Sequence, residues 1–393
     1  MISRLMRNSG MSAVALVAAL LAAMVVAPAL AQERPPIAIG PYVQNVGADN
    51  ATICWATWAG HVGFSPATRY TDNARAYQHH KVLLRNLKPG TTYTYDIRGD
   101  GSDVGKGTFT TVPEGDHSFT FVVLGDTQGD QGAHRYIVRR VIAEKPDLVF
   151  NAGDLTSDGR DLWRWATFFR VSGDLMRSVP YYPAYGNHEG DTPYFLDFLS
   201  PPGVGRYYSF NRGGVHFVVL DTPGLYMPDD NQAVTQAEQQ RFVERREQYW
   251  QRQMQWLKDD LAGHRDAKYV FVFFHYPLYT VNAMPGYVIG ARQMREAFGT
   301  VFHDYGVTAV FNGHDHQYHH ALAGGVHFVV AGPAGGSPRP LAPLLPETVK
   351  AATGYCFVRV KVAADKAVVR IIGIRGDTVD EFELRPRAAR RVH

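Results

Sequence analysis

Apolar and polar positions follow two different patterns along the chain, and the change falls near residue 113. From Pro41 to Val112 the apolar residues come in short, β-branched and aromatic runs separated by turns: "PYVQNV", "ATICWATW", "KVLLRNL", "TTYTYDIRG" and "GKGTFTTV". This spacing predicts a small all-β sandwich, with no helical period. "PEGDHS", residues 113 to 118, is a turn-rich link. Beyond it stand "FTFVVL" (119–124), "DLVF" (147–150), "PYYPAY" (180–185), "YVFVFF" (269–274) and "VTAVF" (307–311). Such unbroken apolar runs are expected of strands buried on both faces, and helical segments fall between several of them. The alternation predicts an α/β domain with a partly parallel sheet. In "EQYWQRQMQWLKDDL", 247 to 261, Trp250, Met254, Trp256, Leu257 and Leu261 form a wide apolar stripe that predicts a core-facing helix.

Composition sets the scale and the address. A chain of 393 residues, 45% hydrophobic and 20% charged, is long enough for two domains. Its first 31 residues read separately: Arg4 and Arg7 precede an apolar run from Met11 to Val26, and "APALA" ends in small residues at Ala29 and Ala31. That is a secretory signal peptide over residues 1–31, which predicts a periplasmic or secreted protein with no membrane span after its removal. The formal net charge is +3, and Arg4 and Arg7 carry two of those charges. With no basic face on the remaining chain, nucleic acid is not an expected partner. The two cysteines, Cys54 and Cys356, lie in apolar strand patterns and read as buried free thiols.

The chemistry lies just past the apolar runs of the second region. Each is followed within a few residues by a side chain able to hold a metal: Asp126, Asp154, Asn187, His275, and then His314 with His316. Loops at the carboxyl ends of parallel strands are where α/β folds assemble their sites. A single Asp there is more often a helix cap, but a succession of such residues is not explained by capping. Gly125, Gly153, Gly186 and Gly313 are expected to turn the backbone sharply beside the ion. In "GHDH", 313 to 316, the two histidines would share one face of a continued strand. Mixed oxygen and nitrogen donors suit Zn, Mn or Fe better than Ca or Mg. Of the other histidines, His61, His79 and His80 read as solvated surface, His319 and His320 as exposed on an edge strand, and His216 as either core or site. Tyr279 and the loop from Gly332 to Gly354 are expected to border the substrate mouth.

"GDTQ", "GDLTS", "GNHE", "FFHYPLY" and "GHDH", in that order, resemble the signature of the calcineurin-like metallophosphoesterases. "LKPGTTYTYDI", 87 to 97, resembles the strand pair of fibronectin type III domains, with Pro-Gly at the turn and a tyrosine at the corner. That leader, with "QMQWLKDDL" and "VVAGPAGGSP", is similar to the purple acid phosphatase branch, and the resemblance runs from Ile37 to Leu384. It implies a sandwich of two mixed β-sheets flanked by helices over residues 117–385, preceded by a fibronectin type III-like domain over 36–113. It also implies two divalent or mixed-valence metal ions. Asp154 would bridge them, Asn187, His275 and His314 would complete one site, and Asp126 and His316 would hold the other. His188 matches the histidine that assists the leaving oxygen. The implied activity is hydrolysis of a small phosphorylated substrate, a phosphomonoester first, by a metal-bridging hydroxide. A phosphodiesterase on the same site is the nearest alternative, and a non-catalytic ligand-binding protein with a decayed metal site is the alternative of another class. His188 speaks against decay, since a binder has no use for a leaving-group acid. Two positions depart from the family pattern: Gln128 stands in place of a histidine and Ser157 in place of a tyrosine. Gln128 is expected to act as a weak ligand or a hydrogen-bond donor, or else to face solvent. Ser157 removes the phenolate whose charge transfer to ferric iron colours that branch.

Overall fold

The two sequence patterns fold as two regions in a computed structural model that describes residues 37–58, 77–99, 102–203, 205–223 and 236–387. In the first region β1 (Ile37–Gln44), β2 (Ala51–Trp58) and β3 (Tyr77–Leu84) form an antiparallel sheet, and β4 (Thr92–Gly99) pairs with β5 (Ser102–Thr110). Alternate residues of both sheets, including Val43, Ile53, Trp55, Tyr95 and Phe109, close over a single small core. Before β4, the Lys88 backbone N–H donates to the Tyr93 hydroxyl at 2.8 Å and fixes the corner. The segment read as a signal peptide and His61 lie outside the described residues.

This region is packed against the second rather than hung from it. Tyr42 lies 4.8 Å from the Phe169 ring and donates its hydroxyl to the Phe198 carbonyl. Tyr95 donates to the Arg177 carbonyl at 2.8 Å. The contact corrects the reading of His79 and His80 as solvated surface. His79 is half-buried against Tyr42 and Phe198, and His80 stacks on Trp55 at 4.8 Å. Burial pushes the pKa of His79 down to about 3, since little water is left to solvate a charged imidazole there.

The second region opens with β6 (Phe119–Leu124), α1 (Gln131–Ala143), β7 (Leu148–Asn151), α2 (Leu162–Met176), β8 (Tyr181–Pro183) and α3 (Tyr194–Phe198). It continues through β9 (Tyr208–Arg212), β10 (Val215–Val219), α4 (Gln236–Gly263), β11 (Tyr269–Phe273), α5 (Pro285–Asp304) and β12 (Ala309–Asn312). It ends with β13 (Tyr318–Ala323), β14 (Val326–Ala331), β15 (Thr348–Ala352), β16 (Cys356–Val362), β17 (Ala367–Gly373) and β18 (Thr378–Leu384). These strands make two mixed sheets, ordered β18-β17-β16-β6-β7-β8 and β15-β13-β14-β12-β11-β10-β9.

Burial on both faces explains the unbroken apolar runs. On β6, Phe121 and Val123 face the second sheet while Val122 and Leu124 face α1 and α2. Between the sheets an aromatic layer includes Phe150 and Phe273, stacked at 3.8 Å. Helices α4 and α5 cover the outer face of the second sheet, with Leu257 and Leu261 of the predicted stripe buried and Trp250, Met254 and Trp256 packed beside them. The partly parallel sheet expected from alternation is therefore two sheets: β6, β7 and β8 pair in one, β11 and β12 in the other. Apolar periodicity reports burial but not which strand lies alongside.

Two further expectations meet the structure here. Cys54 and Cys356 are free and buried, as read. His319 and His320 are not edge residues, because β13 lies between β14 and β15 and leaves them 1% and 2% exposed. His319 bonds Thr348 at 2.8 Å and His320 bonds His327 at 2.9 Å. Among the described residues no helix is long and apolar enough to cross a membrane.

Candidate metal centre

The carboxyl ends of β6, β7, β8, β11 and β12 open to one side of the sandwich, and the loops that leave them converge. The sharp turns are made by the donor residues themselves. Asp126, Asp154, His314 and His316 have φ of 47°, 57°, 71° and 55°, a left-handed conformation that costs a non-glycine residue about 1 kcal/mol or more. Of the four flanking glycines expected to turn, only Gly153 has positive φ, at 96°. The others allow close approach: a Cβ at Gly186 would stand 2.2 Å from the Asp154 nitrogen. The strand-face expectation for "GHDH" fails for the same reason, since β12 ends at Asn312 and both histidines sit in an irregular turn.

Two groups of donors form, and Asp154 belongs to both. In the first, His275 Nε2 is 3.2 Å from Asp154 Oδ2 and 2.9 Å from Asn187 Oδ1, which is 3.1 Å from His314 Nδ1. In the second, His316 Nε2 is 3.4 Å from Asp126 Oδ1 and 3.4 Å from Gln128 Nε2. Gln128 Nε2 also donates to Asp154 Oδ2 at 3.1 Å. Gln128 is 7% exposed, so the solvent-facing reading of it is overturned.

Neighbouring groups fix which nitrogen faces inward. His275 Nδ1 donates to the Ala152 carbonyl at 2.8 Å and His316 Nδ1 to the Ser337 carbonyl at 3.0 Å, so in each ring it is Nε2 that faces the carboxylates. His314 has no such anchor. Its ring is held between the edge of Tyr276 and the face of Tyr287, each 4.4 Å away. His188 stands at the rim, 43% exposed, with Nδ1 3.0 Å from the Ser157 carbonyl and Nε2 3.9 Å from Asp154 Oδ2.

The electrostatics fit a cation at each group. Asp126 and Asp154 are 0% and 1% exposed, and among the described residues only histidines pair with them. Burial would raise the Asp154 carboxyl, but His275 and His188 beside it hold it well below the ordinary carboxylate range. Burial would lower His275 and His316, yet Asp154 pushes the former up to about 9 and Asp126 raises the latter. Each carboxylate thus shares an imidazole proton that a metal would displace. Gln128 Oε1 is buried without a partner, and rotating the amide by half a turn would aim that oxygen into the second group. A +2 ion at each position would satisfy every one of these atoms.

Other candidates resolve away from the centre. His216, Asp260 and His264 form a third cluster, but His216 uses both nitrogens, on Asn211 and Asp260, at 2.7 Å each. Its ring stacks on His264 at 3.7 Å with an 11° tilt, so the nitrogen lone pairs run parallel instead of converging. His216 is a satisfied core residue. Tyr279 does not border the mouth: it packs on Phe328, with Arg295 over its ring. The glycine-rich loop does border it, through Gly336 N–H to the Asp126 carbonyl at 2.7 Å, while its far end forms β15.

Three residues at the centre escaped the sequence reading. Glu189, 0% exposed, accepts from the backbone N–H groups of Gly186 (2.6 Å), Asp154 (3.0 Å), Leu155 (2.7 Å) and Thr156 (3.4 Å). It ties the Asp154 loop to the Asn187 loop. The signal for it was present, since it closes the "GNHE" motif. Tyr287 carried no signal, and Arg339, directly after "VVAGPAGGSP", was not singled out within the loop expected to border the mouth; the fold brings both to His314.

Comparison with known proteins supplies the family. The chain is 28% identical to phosphoenolpyruvate phosphatase of Allium cepa, across 66% of this chain and 54% of that protein. It is 28% identical to purple acid phosphatase 15 of Arabidopsis thaliana, across 61% and 48%. The chain thus spans about half the length of these two curated relatives. In fold it is similar to purple acid phosphatase PPD1 of yellow lupin (TM-score 0.68, 18% identity, 90% of this chain and 75% of that one). It is also similar to PhoD (TM-score 0.66, 14% identity, 92% and 94%). A family profile described as calcineurin-like phosphoesterase matches residues 119–318. That span is half of the sequence and holds both donor groups together with His188, and the chain belongs to the calcineurin-like phosphoesterase family.

Proposed function

We propose that this protein is an exported phosphomonoesterase with a two-metal centre. The observation that carries the reading is the pair of donor groups sharing Asp154, with an exposed imidazole, His188, on their rim. Asp154, common to both donor groups, would be shared by the two ions. Asn187, His275 and His314 complete one, and Asp126 and His316 hold the other, with Gln128 as a weak ligand or donor beside them. The oxygen and nitrogen donors suit Zn, Mn or Fe. When bound there, two such ions would supply Lewis acidity toward the phosphate and lower the pKa of a nearby water.

The chain's own residues orient and protonate. His188 holds one nitrogen on the Ser157 carbonyl, which fixes the ring so that the other faces the centre. From there it donates a proton to the leaving oxygen. Glu189 holds the Asp154 and Asn187 loops in register. Export rests on residues 1–31, and residues 36–113 and 117–385 are read as the fibronectin type III-like and phosphoesterase domains.

The test is metal analysis of the purified protein together with turnover of a nitrophenyl monoester and the matching diester. Two metals per chain and monoester preference are expected. Diester preference would make it a phosphodiesterase, and a fully loaded protein that turns over neither ester would make it a binding protein.

A further inference from the structure

Arg339 lies against the His314–His316 turn with part of its donor set uncommitted. Its backbone N–H donates to the His316 carbonyl at 3.1 Å. Its Nη1 donates to the Tyr287 hydroxyl and, at 3.4 Å, to the His314 carbonyl. The guanidinium carbon also lies 4.9 Å from the centroid of the Tyr287 ring, the ring that faces His314. Nε and Nη2 make no hydrogen bond with any described residue, and no described acid lies within ion-pair distance of this arginine, the buried Asp315 being its electrostatic neighbour. Its counterparts near the His188 loop differ: Arg160 is matched by Asp158 and Arg206 by Asp191, both at 2.8 Å. A guanidinium is a rigid fork suited to two oxygens of a phosphate. Here one edge is committed to Tyr287 and the ligand turn, and the other is available.

We propose that Arg339, positioned by Tyr287, binds a non-bridging oxygen of the substrate phosphate and makes the site prefer dianionic monoesters to monoanionic diesters. The inference rests on the two-metal phosphoesterase reading and names the residue behind its substrate class. Charge supports it. Two divalent ions against Asp126 and Asp154 leave about +2. A monoester dianion and an attacking hydroxide bring about −3, and a diester with the same hydroxide brings about −2. The proton that His188 donates adds to this sum for either ester, and one further positive charge attracts the monoester dianion more strongly than the diester monoanion. Neither Glu189 nor Asp315 forms an ion pair with Arg339. Both are 0% exposed, Glu189 against backbone N–H groups and Asp315 against Thr280.

The experiment compares the metal-loaded parent with Arg339→Met, Arg339→Lys and Tyr287→Phe. It measures kcat/KM on a nitrophenyl monoester and its diester, and titrates inorganic phosphate by calorimetry. Losing one charge-assisted bond should lower the monoester-to-diester ratio about 10- to 100-fold in Arg339→Met. Phosphate affinity should fall by a similar factor, with metal stoichiometry unchanged. Arg339→Lys should recover part of the ratio, because the charge remains while the fork is lost. Tyr287→Phe, which removes the hydroxyl that accepts from Arg339, should lower the ratio by less than Arg339→Met does. Equal losses on both esters, unchanged phosphate affinity, or loss of metal from Arg339→Met would each overturn the proposal. Should the loaded parent hydrolyse neither ester, the phosphoesterase reading fails instead, and the phosphate titration still decides whether Arg339 binds the anion.

Discussion

Replacing Glu189 by Gln should loosen the metal centre without touching a metal donor. The carboxylate accepts four backbone N–H groups, two on each oxygen: Leu155 and Thr156 on Oε1, Asp154 and Gly186 on Oε2. Burial and the neighbouring Asp154 push its pKa up, to about 8. Four donors converging on two oxygens nevertheless require the ionised form, because a protonated oxygen would present its own hydrogen to an N–H. Glutamine keeps one carbonyl oxygen, so whichever way the amide turns, two of the bonds survive and two N–H groups meet an NH₂. Each charge-assisted bond is worth about 1.5–3 kcal/mol, so two lost bonds cost about 3–6 kcal/mol. Domain stabilities run to about 5–15 kcal/mol, and the variant should fold but melt about 10 °C or more below the parent. Asp154 and Asn187 would lose their common register, so metal should be released to a chelator at least about tenfold faster. Differential scanning calorimetry and chelator competition measure both quantities, and Glu189→Asp should fall between the two proteins. A Glu189→Gln variant that melts within about 2 °C of the parent and keeps its metal equally well would refute the clamp.

Four other outcomes are expected. Gln128→His should tighten the metal held by Asp126 and His316 by about tenfold or more and Gln128→Ala should weaken it; chelator competition that finds both variants equal to the parent would make Gln128 a bystander. His188→Ala should lower kcat about 10²- to 10⁴-fold with metal content unchanged, and a loss equally large for leaving groups that need no protonation would assign the ring a structural role. Iron-loaded protein should show no tyrosinate-to-ferric band in its visible spectrum, because Ser157 has no phenolate and Tyr276 and Tyr287 meet His314 by their rings. Burial lowers His134 to about 3, below the ordinary 6.5, so the unfolded chain binds a proton that the fold refuses. Stability from this residue is complete above pH 6.5 and falls as pH drops toward 3, by up to about 1.4 kcal/mol per unit. Denaturant titrations at pH 6.5 and pH 5 should show His134→Gln losing about 2 kcal/mol less than the parent over that interval, and identical losses would exclude the mechanism.

The sequence by itself determined the candidate donors and most of the secondary structure, because both are properties of short stretches. Runs such as "FTFVVL" must be buried on both faces, and a carboxylate or imidazole just past such a run is carried on a rigid strand end whatever the strand pairs with. It also showed that Gln128 and Ser157 depart from the family pattern. What it left open depended on partners distant in the chain. His319 and His320 looked exposed because nothing in "YHH" says that β15 returns to cover β13. The glycines beside the donors were read as the turning residues, whereas apart from Gly153 the positive φ falls on the donors, and Gly125, Gly186 and Gly313 make room for neighbouring loops. That distinction exists only once loops from separate strands are pressed together. Glu189 was visible as a letter in a motif, but its role needed the Asp154 loop folded around it. Tyr287 was beyond reach altogether, and Arg339 was legible only as a position in the loop expected to border the mouth. Helix α5 brings one of them to His314 and the loop after β14 brings the other. Local pattern fixes which atoms can bind and how each segment hides its apolar face, while tertiary packing alone decides which of those atoms end within about 3 Å of one another.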